Sequence, residues 1–254
     1  MTVKKAQIFE VKSGSSMGVV VQELSENGFI KSEFFFNSLS KFLNTNKKLK
    51  SGYYEILPKM SIWGFIDKIS KGSVISTKVT LIEGKTISFY FNQLSDELSI
   101  NPSGSLDEVM QSIGINEPYD GWFFPDTYIF NYGESLENVL KKSNQELLKH
   151  LDKLWNTRDK SLPFQSKYDA VILASLIENE TALDTEKSDI AGVFIRRLAI
   201  GMRLQTDPTV IYALGDDYVP PLKKSDLRID SLYNTYRNKG LPPGAISSVG
   251  YQSL

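Results

Sequence analysis

The residue whose type and setting best suit chemistry is Glu178, in the run YDAVILASLIENETA at 168–182. A carboxyl group can give up a proton and take it back, which is the work of a general acid and base. The run opens near Asp169 with Ala, Val, Ile and Leu and without Gly or Pro, so it predicts a helix. At about 100° per residue, Val171, Ala174, Ser175, Glu178 and Ala182 share one stripe. The other members of that stripe are small or apolar, so Glu178 is expected to face inward near the C-terminal end. Burial and the negative pole of the helix both disfavour a charged carboxylate there and favour the protonated form a general acid needs. The competing reading is a solvated surface glutamate. Glu180 points about 200° away from Glu178 and reads as its solvent-side partner.

A second amphipathic helix is expected over 187–200, with Ile190, Val193, Phe194 and Leu198 inward and Arg196 and Arg197 at one edge. Gly201 ends it, and Pro208 fixes a turn or another helix start. Gln205, Thr206 and Asp207 then form a short polar loop that can face the end of the first helix. Two other segments hold candidate binding groups. In GWFFPDTYIF at 121–130, Asp126 and Tyr128 could reach a substrate from a groove wall, or the segment could be an aromatic hairpin on the core. Asn234 and Tyr236 lie in YNTY, just before the rigid turn GLPPG. Such loops suit sugar hydroxyls, or serve as plain connections.

Bulk properties narrow the choices. The chain has 254 residues, 41% hydrophobic and 23% charged, enough for one large or two modest domains. With 29 basic and 30 acidic residues, electrostatics give no case for nucleic acid. No cysteine and one histidine, His150, exclude a Cys/His zinc site, a Cys nucleophile and a disulfide framework. A Ser-His-Asp triad would have to use His150, which lies in the charged run NQELLKHLDKLW and suits that role poorly. No metal and no cofactor are expected, and a pyridoxal-phosphate lyase finds no lysine and phosphate cup near the motifs. Aromatics at 11% suit sugar stacking as well as cores. No apolar run is long enough to span a bilayer, and no signal peptide is visible. The abrupt start and end lead us to expect truncation at one or both ends.

The positioning elements follow in order. Strands are expected at 7–12, 51–58 and 75–82, and helices at 17–26, 32–43 and 61–71, with a basic turn at 47–50 and a turn at 83–85. Residues 86–115 read as mostly helical with loops at 101–104 and 114, and 135–155 as a long amphipathic helix. A linker covers 160–167, and a short helix 210–214. The fold class is α+β: a small α/β binding domain over 1–85, then a mainly helical catalytic domain with short strands over 86–254.

GWFFPDTY, ASLIENETA, VFIRRLAIGMRLQTDPTVIYALG, YNTY and GLPPGAI, in that order, closely resemble the YceG-like family of endolytic murein transglycosylases. The match covers most of 121–250; residues 1–85 resemble the family's LysM-like peptidoglycan-binding region mainly in their order of elements. The resemblance implies cleavage of nascent peptidoglycan strands between N-acetylmuramic acid and N-acetylglucosamine, leaving 1,6-anhydro ends without consuming water, and a role in terminating glycan elongation. It places the catalytic residue on Glu178 and has QTDPT and YNTY line the glycan cleft. It further implies a single-pass inner-membrane protein, anchored by an N-terminal helix absent from this chain, with this portion in the periplasm and peptidoglycan synthases as partners. The departures from the family pattern are the absent N-terminal transmembrane helix, the missing tail beyond GLPPGAI and, as a mild change, Asp120 in place of the usual Glu. The rival functions are a hydrolytic muramidase, which would need a second carboxylate such as Asp207 or Asp126 about 5–9.5 Å from Glu178, and a non-catalytic peptidoglycan-binding scaffold.

Overall fold

The structure, a computed structural model, describes residues 1–43, 49–97, 100–101 and 104–254. Residues 47 and 48 of the basic turn and 102 and 103 of the loop at 101–104 therefore lie outside the described residues. The class is α+β, and the chain forms two compact units: 1–78 with 129–134, and 79–128 with 135–254.

The first unit contains β1 (Gln7–Val11), α1 (Met17–Glu26), α2 (Glu33–Phe42), β2 (Gly52–Ile56) and α3 (Ile62–Lys71). Serine caps start all three helices: Ser16, Ser32 and Ser61 each accept a hydrogen bond from the backbone N–H three residues on. Gly72, at φ 75°, ends α3 in the left-handed conformation that a side chain would resist. β1 and β2 pair antiparallel from Gln7 opposite Ile56 to Val11 opposite Gly52. That register turns Phe9, Val11, Tyr54 and Ile56 into the core, where they meet Val20, Leu24, Phe36, Phe65 and Ile69.

β3 (Ser76–Thr80) carries the chain onward. Next come α4 (Ile87–Ser95), β4 (Ile100–Asn101), α5 (Leu106–Ser112), β5 (Thr127–Asn131), β6 (Glu134–Ser135) and α6 (Leu136–Thr157). β5 pairs with β3, so the aromatic segment at 121–130 is not a hairpin of its own. Its rings do what the structural reading expected: Phe123, Phe124 and Tyr128 are buried, and Trp122 stacks on Tyr168 at 4.5 Å.

α7 (Lys167–Glu180) is the axis of the second unit. Ser166 and Asp169 form a reciprocal capping box at its start. Every residue from 171 to 177 is buried. The single inward stripe thus understates this helix, because Ile172, Leu173, Leu176 and Ile177 are enclosed as well. A helix apolar on all sides is a central one. Ala182 lies beyond its end, so the stripe stops at Glu178. α8 (Asp184–Ala199) starts three residues before the expected position, with Asp184 and Glu186 in a first turn that favours negative charge. Phe194 is its buried centre, whereas Val193 is 38% exposed and belongs to the outer face. α9 (Asp207–Leu214) has Pro208 in its first turn. Two 3-10 turns, Gly215–Asp217 and Asp226–Arg228, precede the YNTY segment. His150 packs its ring on Phe124 and Tyr251, as an aromatic neighbour rather than a base in a triad. Among the described residues, no helix is long and apolar enough to cross a membrane.

Candidate active site

Glu178 sits on the last turn of α7, and its side chain is 7% exposed. Three donors surround the carboxylate. The Lys187 ammonium lies 3.3 Å from Oε1. The Gly250 N–H and the Ser253 hydroxyl donate to Oε2 at 2.9 and 2.7 Å. All three donate to the carboxyl oxygens, and the charge-bearing form of the group accepts such bonds most strongly. This setting differs from the sequence reading, in which burial and the helix pole alone acted on the group. The missing ingredients were supplied by residues distant in sequence, which a helix-face argument does not see.

Lys187 stands one turn into α8 and is as buried as its partner, with a second carboxylate, Asp184, at 2.9 Å. Burial pulls the Lys187 ammonium down, but Asp184 and Glu178 outweigh it and hold the group above its ordinary value. The segment that brings Gly250 and Ser253 is stitched to α7 at two points. The Ile246 N–H donates to Ser175 Oγ at 3.1 Å, and the Asn179 amide donates to Ser247 Oγ at 2.6 Å. Ser175 and Asn179 are one turn apart on the face that carries Glu178, so the helix positions both the acid and the chain that covers it.

The same segment holds the turn at 83–85. Gly84 N–H donates to the Ser248 carbonyl at 3.2 Å, and Ser248 N–H to the Lys85 carbonyl at 2.9 Å. The Tyr90 hydroxyl lies 2.6 Å from both the Ile82 carbonyl and Ser248 Oγ. Gly84, at φ 69°, takes a left-handed conformation that suits glycine, and a Cβ added there would meet the Glu178 stem only at ordinary contact distance, 4.0 Å.

Beside Glu178 is a hollow of about 540 Å³, open to solvent, with Glu83, Gly84, Glu178, Asn179, Thr181 and Lys187 in its wall. A second hollow of about 470 Å³ shares Gly84 and Asn179 with it and runs on to Asp120, Tyr212 and Asp216. Together they make a polar groove passing Glu178. Asp120 is 7% exposed and accepts from Ile87 N–H and from the Tyr212 hydroxyl, both at 2.6 Å. Burial pushes its carboxyl up, and the two donors offset part of that rise. Burial and the neighbouring Asp120 likewise push the Tyr212 hydroxyl up.

The other candidates form a separate knot. Gln205, at φ 52°, donates its N–H to the Thr235 carbonyl at 3.2 Å. Thr206 is buried, and its hydroxyl donates to Glu180 at 2.5 Å, which ties the QTDPT loop to the end of α7 and gives Glu180 a protein partner where sequence suggested solvent. Thr209 and Thr235 hydroxyls meet at 2.8 Å, and Tyr236 donates to Asp207 Oδ1 at 2.6 Å. QTDPT and YNTY are therefore brought together; Pro208 lines the second hollow and Glu180 the first, while Gln205, Thr206, Asp207, Asn234 and Tyr236 line neither. Asn234 is fully buried; its amide donates to the Leu227 and Ile229 carbonyls, and its oxygen accepts from Tyr236 N–H. Tyr128 is 4% exposed and donates to the Phe124 carbonyl at 2.8 Å, while burial pushes its hydroxyl up to about 12. Asp126 is exposed and accepts from Thr127 N–H at 2.6 Å.

Sequence reasoning did not single out Glu83 or Lys187. Glu83 was read only as part of a turn, and Lys187 only as a helix start, nine residues after Glu178. Among the described residues no cluster of His, Cys, Asp and Glu is arranged to hold a metal ion.

The profile of the YceG-like family matches residues 9–254. The chain belongs to the YceG-like family. It is 31% identical over 265 residues to an endolytic murein transglycosylase of Bacillus subtilis, covering 96% of this chain and 72% of that protein. It is 25% identical over 288 residues to an endolytic murein transglycosylase of Streptococcus pneumoniae, covering 99% of this chain and about half, 52%, of that protein. Among solved structures, a putative YceG-like protein of Listeria monocytogenes matches with a TM-score of 0.54 at 28% identity, over 99% of this chain and 89% of that one. In this YceG-like chain the runs quoted above from 121–250 thus fall on the second compact unit, around α7 and the segments packed against it.

Proposed function

We propose that this protein is an endolytic lytic transglycosylase of peptidoglycan, with Glu178 as its single acid and base. The observation that carries the reading is a buried carboxylate, ringed by donors, in the wall of an open polar groove. Protonated Glu178 donates to the glycosidic oxygen as the bond to the muramic C1 breaks. The departing N-acetylglucosamine end keeps that proton as a hydroxyl, and the muramic ring carries oxocarbenium-like positive charge. The muramic C6 oxygen then attacks C1 within its own ring, and its proton returns to Glu178. No water is consumed and the enzyme ends as it began. Between the two steps Glu178 is a carboxylate, and Lys187, Gly250 and Ser253 stabilise that charge where it develops.

In the neighbouring knot the exposed Gln205 and Asp207 and the half-buried Tyr236 bind glycan beyond the reacting pair, while Thr206 and Asn234 hold that surface in place. Asp126 contacts substrate from the position just before β5, and Tyr128 supports that strand from within. The first unit is a LysM-like module that holds peptidoglycan. The natural setting is the periplasmic face of the inner membrane, reached through an N-terminal anchor, beside peptidoglycan synthases whose strands the enzyme ends. The family membership and the names of the curated relatives support this reading.

A second reading, a hydrolytic muramidase, is favoured by one observation: a second carboxylate, Glu83, shares the groove with Glu178. Mass spectrometry of glycan strands digested by the full chain separates the two. Anhydro-muramic ends support transglycosylation, and water-added reducing ends support hydrolysis. Glu178→Gln is expected to abolish either product, whereas Asp207→Asn, which keeps an acceptor for Tyr236, retains part of the activity.

A further inference from the structure

Glu83, Glu180 and Asp184 are carboxylates of the groove wall beside Glu178 that the mechanism above does not use, and Glu180 accepts from the Thr206 hydroxyl. The neighbours of Glu83 in that wall differ from it in one respect. Glu178 is engaged by three donors, and Asp184 by Lys187. Among the described residues, no hydrogen bond or ion pair engages the Glu83 carboxylate, which is exposed to the groove. Its position is nevertheless fixed. The turn that carries it is held on both sides of Gly84 by backbone hydrogen bonds to Ser248, and Tyr90 braces the Ile82 carbonyl and Ser248 Oγ together.

The spacing to Glu178 is set by Gly250. This residue gives its N–H to Glu178 Oε2 at 2.9 Å, and a Cβ added to it would collide with the Glu83 carboxylate. The two acids therefore flank one backbone unit, one on its N–H and the other against its Cα. A protein that needed only Glu178 would gain by neutralising or removing an unpaired acid so close to it, because like charges raise the energy of the ionised pair. A reaction that passes through a sugar cation reverses that balance. Positive charge at C1 and the ring oxygen is stabilised by an anion that no protein cation already holds.

We infer that Glu83 is a catalytic residue that contacts the muramic ring and stabilises its oxocarbenium-like transition state, leaving both proton transfers to Glu178. This rests on the transglycosylase reading above. Glu83 exchanges no proton and forms no bond, so the atom balance of that reaction is unchanged. Because the ground-state sugar is neutral and the transition state is not, the contribution falls on kcat more than on KM.

The test compares wild type, Glu83→Gln, Glu83→Asp and Glu178→Gln of the full chain on purified glycan strands, with kcat, KM and product mass as readouts. Glu83 is exposed, so its substitutions leave thermal unfolding unchanged. The expected result is a fall in kcat of about 100-fold for Glu83→Gln, a KM within about twofold, partial recovery in Glu83→Asp, and residual product that still carries anhydro ends. A Glu83→Gln enzyme with wild-type kcat overturns the inference while leaving the role of Glu178 intact. A raised KM at unchanged kcat also overturns it, since that marks ground-state binding. Wild type that releases water-added ends, with Glu83→Gln inactive, makes Glu83 the second carboxylate of a hydrolase and overturns both readings. Wild type that releases no fragment removes the transglycosylase reading and this inference together.

Discussion

A carboxyl group is defined by who its neighbours are, and the two buried acids of the second unit show opposite arrangements. Glu178 meets a cation and two neutral donors. Asp120 meets one backbone N–H and one phenol, with no cation among its partners, and its burial dominates. Asp120 is therefore expected to hold its proton above the ordinary carboxylate range, as a carboxyl-carbon NMR titration would show; a midpoint within the ordinary range would refute this. Tyr212→Phe removes a donor that favours the anion, so the midpoint should climb further. The sign for stability follows. The folded protein keeps a proton that the unfolded chain releases near pH 3.9, so the stability contributed by the protonated form is full below that pH. It falls as pH rises through the folded value. Asp120→Asn should flatten that decline in denaturant titrations.

At the level of elements, much was legible because local rules decided it. Serine caps, the Gly72 stop and the alternation of β1 each depend on neighbours within a few residues, and the first unit's helices begin and end within a residue or so of where those signals put them. The inward turn of Glu178 was legible for the same reason. What was not legible depends on chain closure. Nothing local to 168–182 says that Gly250 and Ser253 return to cap Glu178, or that the turn at Glu83 docks on Ser248. For Asn234 and Tyr128 the sequence leaves a ligand-facing and a structural reading open; both side-chain tips serve backbone carbonyls. Tight closure makes a prediction of its own. Gly121, at φ 83°, lies where an added Cβ would come within 2.5 Å of Ala245 and 2.9 Å of Val171. Gly121→Ala should cost about 2–4 kcal/mol, combining left-handed strain with overpacking. Thermal unfolding measures it, and an unchanged melting temperature would count against the packing described for α7.

On the scale of the whole molecule, each unit has its own apolar core. The first is built around Phe36, Tyr54 and Phe65, the second around α7. Phe36 is fully buried, and Phe36→Ala should destabilise its unit by about 3–5 kcal/mol. Hydrogen exchange should then report faster exchange in α1 to α3 with protection in α7 retained; equal loss in both would contradict separate cores. The chemistry proposed for the second unit centres on Glu178. The most direct measurement is the mass of the ends released from glycan strands by wild type and by Glu178→Gln. The account predicts anhydro-muramic ends from wild type and no release from the variant. Release of those same ends by Glu178→Gln at the wild-type rate would contradict it.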